Sequence, residues 1–244
     1  MTMLASWQTL GPQDDAPGRV AAWLGSLLTA SLRERDLATI ALAGGRTPLA
    51  AYAQLARHPL DWSRVIMLPT DERCVPVDDP ASNEGVLRGL LAGTPAEAAR
   101  LLGLRGPPDS DAREAAALAS RRLAVLPRPL DIVLLGMGED GHVASLFPGG
   151  QGVETAMDLE SDQAVHAVVP APGAPPPAVP RLTLGLARLR EARRLVLLIG
   201  GRRKRELLRE ALAAPEACAA RWPVAALLCT GTPPLDVLWL EEGP

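Results

Sequence analysis

The chain has 244 residues, 48% of them hydrophobic and 22% charged, with a formal net charge of −3; this suits one large α/β domain or two small ones and lacks the basic excess that marks nucleic-acid binding. Its three cysteines, Cys74, Cys218 and Cys229, lie far apart and form no CxxC pair, so neither a disulfide framework nor a metal site is expected. No apolar run approaches the roughly 20 residues of a membrane helix, and residues 1–11 lack the basic start and apolar core of a signal peptide, so no membrane partner and a cytoplasmic location are expected.

In chain order, residues 18–33 place Val20, Trp23, Leu24, Leu27 and Leu28 on one helical face. The run 37–43 reads as a buried strand. A helix over 48–57 follows, with Thr47 as N-cap and Pro48 at the first helical position. A strand over 65–68 precedes a helix over 82–91, and a helix over 111–126 precedes a strand over 130–135. Residues 164–169 are a further strand. Residues 170–180, with Pro172, Pro175, Pro176 and Pro177, suit neither a helix nor a central strand and read as a long surface loop. Arg181-Leu182-Thr183 opens a helical pattern, and strands over 195–199, 225–229 and 237–240 accompany a helix over 202–213. Most of these strands are short, rich in Val, Ile and Leu, and not alternating, as expected of strands covered on both faces. Strand alternating with helix predicts an α/β fold: a mostly parallel, Rossmann-like sheet with helices on both faces, in a single domain over 1–244.

In such a sheet, ligands bind beyond the carboxyl ends of the strands. The first strand runs into Ala43-Gly44-Gly45-Arg46-Thr47-Pro48, either a plain tight turn or a turn whose free N–H groups receive a phosphate. The second runs into Thr70-Asp71-Glu72-Arg73, where Arg73 can face a developing negative charge and Asp71 can take sugar hydroxyls or orient a base. The third runs into Gly136-Met137-Gly138-Glu139-Asp140-Gly141-His142, with Phe147, the only phenylalanine, just beyond. Of the three histidines, His58 follows a helix and His166 lies in a strand; His142 alone sits on a glycine-rich loop at a strand's carboxyl end, two residues from Asp140. Gly200-Gly201-Arg202-Arg203-Lys204 opens a helix with cations, which the helix dipole disfavours unless an anion offsets them. Lys204 is the only lysine among 25 basic residues, and Arg181 is a second candidate for the same anion.

Together these stretches resemble the 6-phosphogluconolactonase family, in the superfamily of glucosamine-6-phosphate deaminases and related sugar-phosphate isomerases. The resemblance is carried by LAGGRTP (42–48), WSRVIMLPTDERCVPVDDPASN (62–83), DIVLLGMGEDGHVASLFP (131–148), RLT (181–183) and GRRK (201–204). The chain departs from the family at Ala43 and Arg46, where serines are frequent; Arg46 offers a charge in place of a hydroxyl. It departs from the deaminases at Arg73, where they tend to carry an aromatic residue, and at Ser145-Leu146-Phe147-Pro148, where they carry an Asn-Glu-Pro type of stretch. The resemblance implies a sugar-phosphate isomerase-like fold and hydrolysis of a phosphorylated sugar lactone. A lactone is an ester, and a neutral imidazole suits general-base activation of water near neutrality. His142 is therefore expected to activate water, Asp140 to orient it and Arg73 to meet the oxyanion, with Asp71 beside them. Gly44, Gly45, Arg46, Thr47, Arg181 and Lys204 are expected to hold the phosphate. No metal and no organic cofactor is expected. The alternatives are a deaminase or isomerase of an amino-sugar phosphate, and a non-catalytic sugar-phosphate sensor.

Overall fold

The computed structural model of the chain describes residues 4–11, 13–107, 110–173, 177–229 and 233–241. β1 (Leu4–Leu10) leads to α1 (Ala16–Glu34), whose start is fixed by Asp15: its carboxylate accepts the Gly18 N–H at 3.0 Å. Then come β2 (Ala38–Leu42), α2 (Leu49–Leu55), β3 (Val65–Pro69), β4 (Asp71–Arg73) and α3 (Asn83–Leu91), whose N-cap is the Ser82 hydroxyl. β5 (Arg100–Leu101), α4 (Ala112–Ala124), β6 (Ile132–Leu135), α5 (Val153–Ala156), β7 (Val165–Val168) and β8 (Arg181–Leu184) follow. The chain continues through α6 (Leu186–Arg190), β9 (Arg194–Gly200), α7 (Arg202–Ala213), α8 (Pro215–Cys218), α9 (Pro223–Leu227) and β10 (Leu235–Leu240).

Seven strands form one parallel sheet in the order β1-β10-β9-β6-β2-β3-β5. Along β6, Ile132 and Leu134 join a core with α1, α2 and α3, while Val133 and Leu135 join a core with α4, α7 and α9. Each β6 residue is thus buried whichever way it points, and this is why its sequence does not alternate. Among the described residues no helix is long and apolar enough to cross a membrane.

A second sheet, β4-β8-β7, is antiparallel and shares the α4-side core through Val165, Val168, Leu182 and Leu184. It carries two corrections to the sequence reading. Residues 164–169 do form a strand, but outside the parallel sheet. Arg181-Leu182-Thr183 is a strand rather than a helix start, because Leu182 and Leu184 bury between β4 and β7; helix resumes only at Leu186, after Gly185. The run 225–229 is not a strand either: Pro223 starts α9, and Ala225-Ala226-Leu227 are good helix formers buried on every side, so no period shows. Thr47 does not cap α2; the cap position is Pro48, without a side-chain bond. In the proline loop, residues 170–173 and 177–180 are neither helix nor strand, as expected, while Pro175 and Pro176 lie outside the described residues.

Candidate active site

A cavity of about 870 Å³ opens where the strands of the parallel sheet end. Gly44, Gly45, Thr47, Asp71, Arg73, Asp140, His142, Arg181 and Lys204 all line it. Arg46 is not among the lining residues; its side chain is exposed. Five segments far apart in sequence therefore converge: the turn after β2, β4, the loop after β6, the start of β8, and the end of β9 with the first turn of α7.

β4 divides its side chains by the pleat. Asp71 and Arg73 line the cavity, and Glu72 points away into the protein. Asp71 Oδ2 accepts the Ser145 hydroxyl at 2.6 Å, which ties β4 to the loop after β6. Arg73 Nη1 donates to the Ala81 carbonyl at 2.6 Å and to Asn83 Oδ1 at 3.1 Å. Glu72 is fully buried and accepts N–H groups of Arg73, Asn83 and Glu84 at 2.7, 2.8 and 2.7 Å. It closes the first turn of α3 as a buried cap. Burial pushes its carboxyl up from the ordinary value; those three N–H groups pull it back part of the way. Across the β4–β8 ladder Arg73 stands opposite Arg181. Burial, then the charge of Arg73, lowers the pKa of the Arg181 guanidinium, which also donates to the Pro177 carbonyl at 2.9 Å.

The loop after β6 turns back on itself: Gly138 N–H meets the His142 carbonyl at 2.9 Å, and Gly141 takes a φ of +79°. Ala144 has a φ of +48°, a strained value for a residue with a Cβ, and it too lines the cavity. His142 Nδ1 lies 2.6 Å from Asp140 Oδ1. The carboxylate assigns the proton to Nδ1 and leaves the Nε2 lone pair for chemistry. The Phe147 ring packs on the imidazole with centroids 4.4 Å apart, and the Arg181 guanidinium lies 5.9 Å from the centre of the same phenyl ring.

Burial pushes the Asp140 carboxyl up, but the hydrogen bond and charge of His142, with backbone N–H groups, outweigh it and hold its pKa below the ordinary value. A depressed carboxylate contributes stability that is present above the unfolded-state pKa and is lost as pH falls through the folded-state pKa. Asp140→Asn should therefore melt below the unmodified protein at neutral pH, and the gap in Tm should close as the pH is lowered through the carboxylate range. Melting curves across that range check it; a gap that stays constant means the Asp140–His142 pair is not what depresses the carboxyl.

Sequence reasoning missed four residues of this site: Asn83, Ser145, Phe147 and Glu72. Ser82 signalled a helix start but gave no sign that Asn83 reaches Arg73, and Ser145 meets an aspartate 74 residues away. Phe147 was noticed for being unique and within the stretch that departs from the deaminases, with no role assigned to its ring. Among the described residues no group of three or more His, Cys, Asp or Glu is placed to hold a metal ion.

Residues 12–239 match the family model described as glucosamine-6-phosphate isomerases/6-phosphogluconolactonase. A 6-phosphogluconolactonase of Rhizobium meliloti is 40% identical over 216 residues, 88% of this chain and 90% of that protein. One of Pseudomonas aeruginosa is 39% identical over 234 residues, 95% and 93% of the two chains. The crystal structure of a 6-phosphogluconolactonase from Shewanella baltica superposes with a TM-score of 0.87 at 31% identity, covering 98% of this chain and 99% of that one.

Proposed function

The chain belongs to the family of glucosamine-6-phosphate isomerases and 6-phosphogluconolactonases, and from that premise we propose that it acts as one domain to hydrolyse 6-phospho-D-glucono-1,5-lactone to 6-phosphogluconate, the second step of the oxidative pentose phosphate pathway. The observation that carries the reading is one imidazole, held through Nδ1 by Asp140, in the same cavity as Arg73, Arg181 and Lys204.

Hydrolysis of the lactone is acyl transfer to water. His142 Nε2 takes a proton as the water oxygen bonds to the C1 carbonyl carbon. The carbonyl electrons move to oxygen, and the resulting oxyanion is met by Arg73, for which preorganised donors are the main source of rate. When the C1–O5 bond breaks, the imidazolium returns its proton to the departing ring oxygen, which becomes the C5 hydroxyl. Base and acid are thus the same residue, and the second proton of the water stays on the new carboxyl group, which ionises at neutral pH and releases it to solvent. Asp140 holds the ring and stabilises its charged form, and Asp71, fixed by Ser145, offers an acceptor to a sugar hydroxyl. Arg181, Lys204 and the Gly44–Gly45–Thr47 turn hold the distal phosphate, and that binding positions the ester. Arg46, outside the cavity lining, is dropped from this set.

The test supplies freshly made lactone and follows acid release above the spontaneous rate. Turnover supports the reading; ammonia release from glucosamine 6-phosphate, or binding of the lactone without turnover, overturns it. Within this assay Lys204→Ala should raise KM for the phosphorylated lactone about 10- to 100-fold, the worth of one charge-assisted hydrogen bond, and leave kcat within about threefold. A collapse in kcat at constant KM would move Lys204 from binding into the chemistry.

A further inference from the structure

One polar side chain in the cavity wall is engaged at both ends by the protein itself. Asn83, the first residue of α3, is 5% exposed. Its Oδ1 accepts from Arg73 Nη1 at 3.1 Å, and its Nδ2 donates to the Asp71 carbonyl at 2.7 Å. Reversing the amide would set a donor against a guanidinium and an acceptor against a carbonyl, so only this orientation satisfies both partners. The backbone below is anchored too, because the Asn83 N–H donates to the buried Glu72 carboxylate at 2.8 Å.

The turn after β2 closes the remaining side. A Cβ on Gly44 would stand 2.2 Å from Asn83 Oδ1, whereas a Cβ on Gly45 would meet nothing within 4 Å. The paired glycines therefore have different causes. Gly45 is required by its φ of +89°. Gly44 is bare because the amide of Asn83 rests against it.

We propose that Asn83 is a positioning residue, keyed onto Gly44, that aims the Arg73 guanidinium and so sets how well the oxyanion is stabilised; this rests on the role given to Arg73 above. Nη1 carries two hydrogens, and here one goes to the Ala81 carbonyl and one to Asn83. Two acceptors fix the plane of the guanidinium, whereas one leaves a pivot. A donor free to rotate must be reoriented during the reaction, which is the cost a preorganised site avoids.

The experiment measures kcat and KM on fresh lactone for Asn83→Ala in the full chain, alone and combined with Arg73→Ala or with Lys204→Ala. Alone, kcat should fall about 10- to 100-fold with KM within about threefold, as for a misaimed rather than missing donor. The penalty should shrink below about twofold once Arg73 is gone and persist in full when Lys204 is gone. Equal penalties in both backgrounds, or a penalty confined to KM, overturn the proposal. Gly44→Ala is the second variant, for use if Asn83→Ala does not fold; it displaces the amide without removing any of its bonding groups and should reproduce the fall in kcat and its dependence on Arg73, while its KM, which the phosphate turn also sets, is left out of the comparison. An NMR readout separates this proposal from the functional reading: the Arg73 Nε–Hε resonance should shift in either variant. An unmoved resonance overturns the positioning role, whereas an Arg73→Ala protein with full kcat is a failure of the oxyanion assignment itself.

Discussion

His142→Ala should fold normally and lose about 10²- to 10⁴-fold in kcat, the usual worth of a positioned acid–base group. The ring sits on a loop with its side chain 18% exposed, and the described contacts it gives up are the Asp140 bond and the Phe147 face. Neither holds a core element, so the chain should stay folded, with a melting temperature lowered by about as much as in Asp140→Asn, while turnover falls. KM should stay close to its starting value, because the role proposed for the imidazole is on water and on the leaving oxygen rather than on the phosphate. Circular dichroism, a melting curve and steady-state kinetics on one preparation decide the matter. An unchanged kcat removes His142 from the mechanism, and a lost fold would show that the loop depends on the ring for its shape.

Arg73→Ala is the second large effect. Removing one donor from an oxyanion site costs about 10²- to 10³-fold in kcat. Here the change also leaves the Ala81 carbonyl and Asn83 Oδ1 without their charged partner. Hydrogen bonds to charged groups are worth roughly 1.5–3 kcal/mol, so Tm should fall by several degrees for a chain of this size. Kinetics must be taken well below that temperature, where the fold is intact and the loss is chemical. Arg73→Lys should recover little, because one ammonium cannot hold both acceptors and still present a planar donor to the cavity. If Arg73→Lys turns over at the original rate, a point charge suffices and the fork geometry is irrelevant.

Most of the parallel sheet was legible in the sequence because burial on both faces turns a strand into a plain apolar run, as along β6 and β9. The same signal misled at 225–229, where a helix buried on all sides also reads as a plain run. β8 was hidden for the opposite reason: four residues are too few for a period, and their strand character comes from β4 and β7, which no local pattern reveals. Arg73, His142 and Lys204 could be picked out because each follows an apolar run read as a strand, and ligands collect beyond the carboxyl ends of such strands; Arg181 was picked out only as a second cation for the same anion, on a segment misread as a helix start. Arg46 could not be placed that way, since the direction of a side chain in a tight turn follows from backbone angles rather than from spacing. Asn83 and Ser145 were invisible because their partners are set by the packing of separate segments. Gly44 was read with Gly45 as letting the backbone approach a phosphate; that a side chain there would also run into Asn83 is a second cause that only the packing reveals.

The single rung on which β4 and β8 set two arginines face to face has a consequence for handling the purified protein. Like charges directly opposed in a ladder destabilise it, and a small oxyanion that settles beside them relieves the repulsion while it occupies room the sugar phosphate needs. Inorganic phosphate and sulfate should thus act as competitors and as heat protectants at once. A storage buffer chosen for shelf life would then be the wrong buffer in which to time turnover.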